Sequence, residues 1–304
     1  MNKIIRFETV SDYNTLIGIE TLHPLVSVVD MSKIKPRQEL TQVASAYFGF
    51  YTVSLKDVKC GDLRYGKSTY DYQDSTLVFF APGQVVTFDN TAAAYQSPPK
   101  GYSLLFHPDL VHGTPLGRHI QDYTFFGYQS NEALHISGRE RKMVLDCFTK
   151  IEYELQQSID KHSKTLIASN IELFLNYCLR FYDRQFITRE TALKGTIEKF
   201  EMLLNEYFHT SKPREIGMPT VGWCANKLNL SANYFGDLVK KETRRSAQEY
   251  IQEKAINLAK ERIFDLNKSV SEIAYDLGFK YPQHFTRLFK QKVGTTPNEY
   301  RMQN

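Results

Sequence analysis

The last hundred residues of the chain carry one pattern twice. The first copy runs from Val221 to Tyr250 and the second from Val270 to Tyr300. Matching positions lie 49 residues apart early in each copy and 50 residues apart later, as Phe235 and Phe285 do. The one-residue difference falls between two apolar periodic segments, where an insertion is tolerated. The repeat therefore predicts two units of one fold, each with a helix, a short turn and a second helix.

Both units contain their own signals for where helices begin and end. In the second unit Ser269 and Glu272 predict a capping box, and Gly278 supplies the left-handed residue that ends the helix. Asn229 takes the corresponding place in the first unit, and asparagine is the best substitute for glycine there. Ser231 then predicts the start of the next helix.

The basic charge of the chain lies with the repeat. Residues 191–304 carry 18 Lys and Arg against 13 Asp and Glu, a surplus of +5. Residues 1–190 carry 20 against 21, a balance of −1. A helix-turn-helix presents its second helix to the major groove of DNA, and a basic surplus attracts phosphate. Pattern and charge together predict binding to double-stranded DNA.

In the second unit the recognition helix is predicted from Pro282 to Gln291. Its buried stripe is predicted to consist of Phe285, Leu288 and Phe289. The opposite face carries the candidate DNA-binding residues Tyr281, Gln283, His284, Thr286, Arg287 and Lys290. Arg287 has the donor fork that reads guanine, and Gln283 has the amide that reads adenine. Lys290 lies further along the helix, where phosphate contact is expected.

In the first unit the recognition helix is predicted from Ala232 to Lys241, with Phe235, Leu238 and Val239 facing inward. The candidate DNA-binding residues are Asn233, Gly236, Asp237, Lys240 and Lys241. Asp237 repels phosphate but can accept from a cytosine amino group, and Gly236 offers no side chain. We expect less direct base reading here, with Asn233 the best candidate. Simple solvation is the alternative interpretation for every surface residue in both sets.

Residues 1–135 predict a β domain. Apolar and aromatic runs of strand length, separated by turn residues, recur at Ala46–Val53, Leu77–Phe80, Val85–Phe88, Tyr102–Phe106 and Tyr123–Tyr128. Many short strands at close spacing predict a sandwich or a small barrel. An aromatic barrel interior can enclose a small ligand.

Residues 138–185 change to a helical period. Apolar residues recur three or four positions apart at Val144, Phe148, Ile151, Leu155 and Ile159, and again at Ile167, Ile171, Phe174, Cys178 and Tyr182. Ser137 and Glu140 predict a capping box at the first start. The resulting hairpin either packs against the β domain or pairs with a second copy of the chain. The polar stretch Asp183–Lys194 is the candidate linker to the repeat.

These observations predict a multidomain protein with separate α and β parts. The division is a β domain at 1–135, a helical linker and dimerisation hairpin at 136–190, and an all-α DNA-binding domain at 191–304 with two helix-turn-helix units.

The repeat resembles the AraC/XylS family of bacterial transcription regulators. The segments SEIAYDLGF and HFTRLFKQKVGTTPNEYR are similar to the family's second helix-turn-helix, and WCANKLNLSANYFGDLVKKE is similar to its first. The resemblance covers about residues 196–304. Arg244 and Arg245 depart from it, because the family often has glycine there, and we expect a less tight turn.

The N-terminal half resembles the family's cupin-like sensor domain more loosely, through LVFFAPGQVVTF and SGRERKMVLDCFTKIEYEL. The resemblance implies a cupin-like β-barrel that binds a small effector, and a homodimer formed through the linker helices. It also implies a regulator that acts at promoter DNA, with RNA polymerase as a further partner.

Other features limit the functional classes. No apolar run approaches the ~18–20 residues that cross a bilayer, and the N-terminus lacks the apolar core of a signal peptide. The four cysteines are far apart and form no CxxC pair, which predicts reduced thiols. We therefore expect a cytoplasmic protein with no membrane partner.

A cupin-type metal enzyme with a helical appendage is the alternative function. Metal-binding cupins use two histidines separated by one residue, and His23, His107, His112 and His119 do not provide that pair. We therefore expect no metal site, no cofactor and no enzymatic activity. A DNA-binding protein that takes no ligand also stays open.

Overall fold

The computed structural model describes residues 4–34, 45–56, 75–87, 100–129, 132–188 and 190–303. The chain forms two compact units, Met1–Thr188 and Arg189–Asn304. The finer division of the first unit into a β domain and a helical linker stays a prediction.

The first unit begins with two sheets. The three-stranded sheet has the order β1 (Ile4–Phe7), β3 (Ser45–Phe48) and β6 (Val85–Thr87), with β1 parallel to β3. The five-stranded sheet is antiparallel and has the order β2 (Val26–Asp30), β7 (Gly101–Phe106), β4 (Tyr51–Lys56), β5 (Thr76–Phe80) and β8 (Leu134–His135). Helices α1 (Val10–Ile17), α2 (Pro108–Val111) and α3 (Pro115–His119) complete the β region.

The strand pairings of the described residues form two open sheets, without a closed barrel. The predicted strand Ala46–Val53 is two strands, because the chain turns at Gly49. A Cβ on Gly49 would lie 2.7 Å from the carbonyl oxygen of Glu8, so this close approach requires glycine. Phe88, the last residue of another predicted strand, lies outside the described residues.

The predicted strand Tyr123–Tyr128 is wrong. Residues Thr124–Gly127 form a 3-10 helix instead. In a strand, Phe125 and Phe126 would point to opposite faces. Here both rings are buried, and both pack against Phe79 at centroid distances of 4.4 and 5.7 Å. The short helical turn is what brings two successive aromatic side chains to the same ring.

The helical hairpin forms as α4 (Gly138–Leu155) and α5 (Ser163–Thr188). Ser137 and Glu140 make the predicted capping box. The apolar stripes are buried, except that Ile159 lies beyond the end of α4 and is 67% exposed. Arg184 of α5 donates to both oxygens of the Glu140 carboxylate, at 2.8 and 3.0 Å, which ties the two helices together.

The predicted linker Asp183–Lys194 is largely helical. Helix α5 continues to Thr188, and α6 (Glu190–Phe208) begins two residues later. The polar composition of this stretch indicated an exposed linker, but Gln185 and Phe186 at the end of α5 are buried.

The second unit consists of helices. After α6 and the short α7 (Lys212–Ile216), the first helix-turn-helix is α8 (Val221–Lys227) and α9 (Ala232–Thr243). Helix α10 (Ala247–Arg262) leads to the second, α11 (Val270–Asp276) and α12 (Pro282–Val293), and α13 (Pro297–Gln303) closes the unit.

Hydrogen-bonded helix caps occur at the starts of helices in both copies of the repeat. Ser246 with Glu249 and Ser269 with Glu272 form capping boxes, and the Thr296 hydroxyl accepts from the Glu299 N–H. Hydrogen bonds from the backbone N–H and the side chain of its cap residue hold the pKa of each glutamate below the usual 4.5. The stabilisation is therefore present above that value and is lost as the pH falls through the lowered pKa.

The turns of the two units differ at their centre. Asn229 and Gly278 both adopt left-handed conformations, with φ of 56° and 86°. The Gly278 carbonyl accepts a 3.0 Å hydrogen bond from the N–H of Met218, and a Cβ on Gly278 would lie 2.6 Å from that nitrogen. The second turn therefore packs directly on backbone, whereas the first accommodates a side chain.

We predict that Gly278→Ala lowers the free energy of unfolding by about 3 kcal/mol, because left-handed strain adds to a backbone clash. Asn229→Gly, the matched control, should change it by about 1 kcal/mol or less. Urea unfolding of the two variants measures both values. Equal effects would show that the close approach at Gly278 is not a constraint.

Candidate nucleic-acid interface

The second recognition helix, α12, separates a buried face from an exposed face. Phe285 and Phe289 are fully buried, and their rings lie 5.6 Å apart. Leu288, predicted to be buried with them, is half-buried. The candidate residues on the other face are exposed, with Thr286 half-buried: Tyr281, Gln283, His284, Arg287 and Lys290. The aromatic anchors therefore fix which side chains α12 turns outward.

A cationic and aromatic cluster surrounds the start of α12. Tyr281 is 46% exposed, its ring lies 5.3 Å from the His284 ring, and Lys280 Nζ lies 5.6 Å from the Tyr281 centroid. Pro282 occupies the first turn, where its missing N–H costs nothing. This end of the helix places the Tyr281 and His284 rings next to the Lys280 ammonium, a positive charge that attracts phosphate.

The first recognition helix, α9, buries Phe235, Leu238 and Val239 as predicted. The candidate residues Asn233 and Lys240 are exposed, and Gly236, Asp237 and Lys241 are half-buried. A Cβ on Gly236 would meet no atom within 4 Å, so this position is a gap in the surface. Compared with α12, α9 offers fewer long polar side chains to base edges.

Arg244 and Arg245 follow α9 and behave differently from each other. Arg244 ends the helix in a left-handed conformation with φ of 60°, and Gly294 ends α12 in the same way with φ of 95°. The expectation of a less tight turn is therefore wrong, because arginine keeps the left-handed ending. Both side chains are exposed, and the Arg245 guanidinium forms an ion pair with Glu253 of α10.

An ionic cluster that the sequence did not indicate surrounds the end of α11 in the second helix-turn-helix. Asp276, at the end of α11, accepts from Lys268 at 2.6 Å and pairs with Arg214 of α7 at 3.6 Å. Its carboxylate is 17% exposed, so the cluster joins three segments around α11. No local pattern indicates it, because Arg214 lies far from Asp276 in the chain.

Two of the histidines that the sequence singled out, His23 and His107, accept hydrogen bonds from the backbone. His23 Nδ1 accepts from the N–H of Leu25, and His107 Nδ1 accepts from the N–H of Asp109 at the start of α2. Within the described ranges no group of three metal-binding side chains occurs. Among the helices that the structure describes, none has the length and apolar character to span a bilayer.

The second compact unit, Arg189–Asn304, contains two helix-turn-helix motifs in tandem. Each has a buried aromatic anchor beneath an exposed polar face, and this arrangement defines the class of the domain. Residues 224–303 match the family model described as a helix-turn-helix domain. The second unit is an AraC-type helix-turn-helix domain.

Comparison with individual proteins agrees with that class. An uncharacterized HTH-type transcriptional regulator, YfiF of Bacillus subtilis (strain 168), is 31% identical over 139 residues, which are 46% of this chain and 41% of that protein. The Msm operon regulatory protein of Streptococcus mutans is 20% identical over 216 residues, 67% of this chain and 73% of that protein. The chain thus spans less than half of YfiF.

One solved structure was found to be similar to part of the chain. A transcriptional regulator from Chromobacterium violaceum, of the AraC-type DNA-binding domain-containing proteins, covers 37% of this chain and 95% of its own, with 19% identity and a TM-score of 0.32.

We predict that Arg287→Ala weakens binding at one base position by about 1–3 kcal/mol and relaxes the preference there. The reason is loss of a bidentate donor fork on the exposed face of α12. Competition binding with a site mutated at each position in turn measures the effect. Unchanged sequence preference would contradict the role of Arg287.

Lys290→Ala should weaken binding to all sequences alike, because a phosphate contact carries no base information. The slope of log K against log salt should flatten by about 0.9. Gln291→Ala, at the exposed neighbouring position, is the uncharged control and should leave the slope unchanged. A position-specific loss in Lys290→Ala would refute the phosphate role.

Proposed function

We propose that the chain is a sequence-specific DNA-binding transcription regulator that acts at promoter DNA through both helix-turn-helix units. The observation that carries the proposal is the exposed face of α12, where Gln283, His284 and Arg287 stand directly over the buried Phe285 and Phe289. A rigid helix with base-reading side chains on one face is the form in which proteins read the major groove.

The two units divide the work in this proposal. The second helix-turn-helix reads bases through α12. In the first, Lys240, Lys241 and Arg244 contact phosphate, and Asn233 is the base-reading residue. The gap at Gly236 supports this division because no side chain projects there. We propose that this regulation takes place in the cytoplasm, where the chromosome lies, with RNA polymerase as a further partner.

The test is a footprint of the purified chain on the DNA upstream of its own coding region. We expect one protected segment, and a scrambled duplex of the same composition should compete poorly for the protein. Equal affinity for both duplexes would contradict sequence-specific regulation. A stoichiometric metal ion in the purified protein would instead favour the alternative, a cupin-type enzyme.

The first compact unit, Met1–Thr188, is proposed to be a cupin-like sensor domain for a small effector. The support is its two facing sheets, whose shared core includes Phe48 and Phe50 of the β3–β4 segment and Leu105 of the larger sheet. Closure of the sheets into a barrel is part of this proposal.

The helical hairpin is proposed to hold two copies of the chain together. Leu166 and Leu173 of α5 are 45% and 41% exposed, and seven residues place them on one face, two turns apart. Tyr153 of α4 is 62% exposed. Apolar side chains in such a row are suited to a partner helix rather than to water.

We predict that Leu166→Glu combined with Leu173→Glu converts a dimer to a monomer in sedimentation equilibrium, because carboxylates do not pack in an apolar helix contact. Thr15→Glu, at an exposed position of α1 outside the hairpin, is the charge control and should stay dimeric. A wild-type chain that is monomeric at micromolar concentration would overturn the proposed homodimer.

A further inference from the structure

The two helix-turn-helix motifs are joined along the chain by α10 and by residues 263–269, which are not helical. Arg301 of α13 donates to carbonyls near both ends of that connection, at 2.6 and 2.9 Å, so the connection is held by the second helix-turn-helix. Arg262, the last residue of α10, donates instead to the carbonyl of Phe208 in α6 at 2.9 Å. The covalent connection by itself therefore does not fix the rotation of α12 relative to α9.

A second connection runs through residues 209–218, which include α7 and which we call the bridging segment. Tyr207 of α6 holds both of its ends. The Thr210 hydroxyl donates to the Tyr207 carbonyl at 2.8 Å, and the Tyr207 hydroxyl donates to the Gly217 carbonyl at 2.7 Å. The Tyr207 ring packs edge-on against Trp223 of α8 at a centroid distance of 4.8 Å. The bridging segment is thereby fixed to the first helix-turn-helix.

The bridging segment also contacts the second helix-turn-helix. The Met218 N–H donates to the Gly278 carbonyl at 3.0 Å, and the Arg214 guanidinium lies 3.6 Å from the Asp276 carboxylate. Asp276 ends α11, and Gly278 lies in the turn that leads to the recognition helix α12. The segment therefore joins the two motifs directly, without passing through α10.

Asp276 pairs with two cations of different origin. Lys268 lies just before α11 and pairs with Oδ2 at 2.6 Å, within the second helix-turn-helix. Arg214 comes from the bridging segment and pairs with Oδ1. An ion pair at the surface contributes about 1 kcal/mol or less, so Arg214 acts together with the Met218 hydrogen bond. One carboxylate thus takes part both in a contact inside one motif and in a contact between the two.

The relative position of α9 and α12 decides which DNA the two motifs can bind together. Two recognition helices on one face of DNA must enter grooves about one helical turn apart, roughly 34 Å. When the two motifs are held in the matching geometry, binding of the first raises the effective concentration of the second. A loose pair loses that gain at the matching spacing and tolerates other spacings better.

We propose that the bridging segment sets the spacing between the two DNA segments that the motifs recognise, with Tyr207 and Arg214 as positioning residues. Tyr207 holds the segment on the first motif, and Arg214 holds it on the end of α11 in the second. Neither side chain contacts DNA in this role. The inference rests on the proposed function and adds how its two motifs are kept at one spacing.

The test measures binding of the full chain to the upstream DNA and to duplexes with two base pairs inserted at successive positions across the protected segment. Two base pairs rotate one half of the site by about 70° relative to the other. The wild type should lose at least about 100-fold in affinity at central insertions, because one motif then loses its contacts. For Tyr207→Phe combined with Arg214→Gln, the loss on insertion should be about tenfold or less.

The ratio of the two affinities separates positioning from simple weakening. A variant that is only less stable, or that has lost a DNA contact, binds both duplexes more weakly by the same factor and keeps the ratio of the wild type. Tyr207→Phe alone keeps the aromatic ring and loses only the hydrogen bond to Gly217, and it should give an intermediate ratio.

Tyr250→Phe combined with Lys268→Gln is the matched control. It also removes one tyrosine hydrogen bond, from α10 to Glu201 of α6, and one cation from Asp276. Neither contact involves the bridging segment, and the change in net charge is the same. The control should therefore keep the insertion penalty of the wild type.

Three results would overturn the inference. They are a wild type that tolerates every insertion, an unchanged penalty in Tyr207→Phe with Arg214→Gln, or an equal relaxation in the matched control. A wild type that prefers none of these duplexes to a scrambled duplex would refute the proposed function. Specific binding with an unchanged penalty in the double variant would refute the role of the bridging segment alone.

Discussion

The DNA-binding domain depends on the aromatic anchoring of α12. Phe285 contacts Phe279 in the turn before the helix and Phe289 one turn later, at centroid distances of 5.2 and 5.6 Å. Phe289 in turn contacts Tyr300 of α13 at 5.6 Å. A twelve-residue helix is marginal by itself in water. These rings fix its rotation, and the rotation decides that Arg287 and Gln283 face outward.

The two copies of the repeat bury aromatic residues at matching positions, but their exposed faces differ. Phe235 of α9 packs edge-on against Phe200 of α6 at 4.9 Å, which is the counterpart of the anchoring in the second copy. The outward faces then diverge, with Gly236 and Asp237 on α9 where α12 carries Thr286 and Arg287. Duplication thus conserves the interior, where packing limits change, and leaves the exposed face free to differ.

The helices were predicted well from the sequence because the interactions that begin, end and orient them are local. Capping at Ser269 and Ser246, the left-handed residues Asn229 and Gly278, and the buried stripes of the hairpin all follow from neighbours a few positions away. The β region was predicted less well. The 3-10 helix at Thr124–Gly127 follows from packing on Phe79, a residue distant in the chain.

Long-range contacts account for the rest of what the sequence did not indicate. The approach of Gly278 to Met218 and the ion pair of Asp276 with Arg214 each join segments about 60 residues apart. The candidate DNA-binding surface could be predicted from the sequence because helical periodicity assigns residues to faces. Which of its residues touch bases stays a prediction, since exposure is necessary for contact and does not decide it.

The most direct test of the account is the salt dependence of binding to the chain's own upstream DNA, compared with a scrambled duplex. We predict at least about a thousandfold preference for the upstream DNA, and binding that weakens steeply with salt for both duplexes. The preference should fall in Arg287→Ala and persist in Lys290→Ala. Equal affinity for the two duplexes across the salt range would contradict the account.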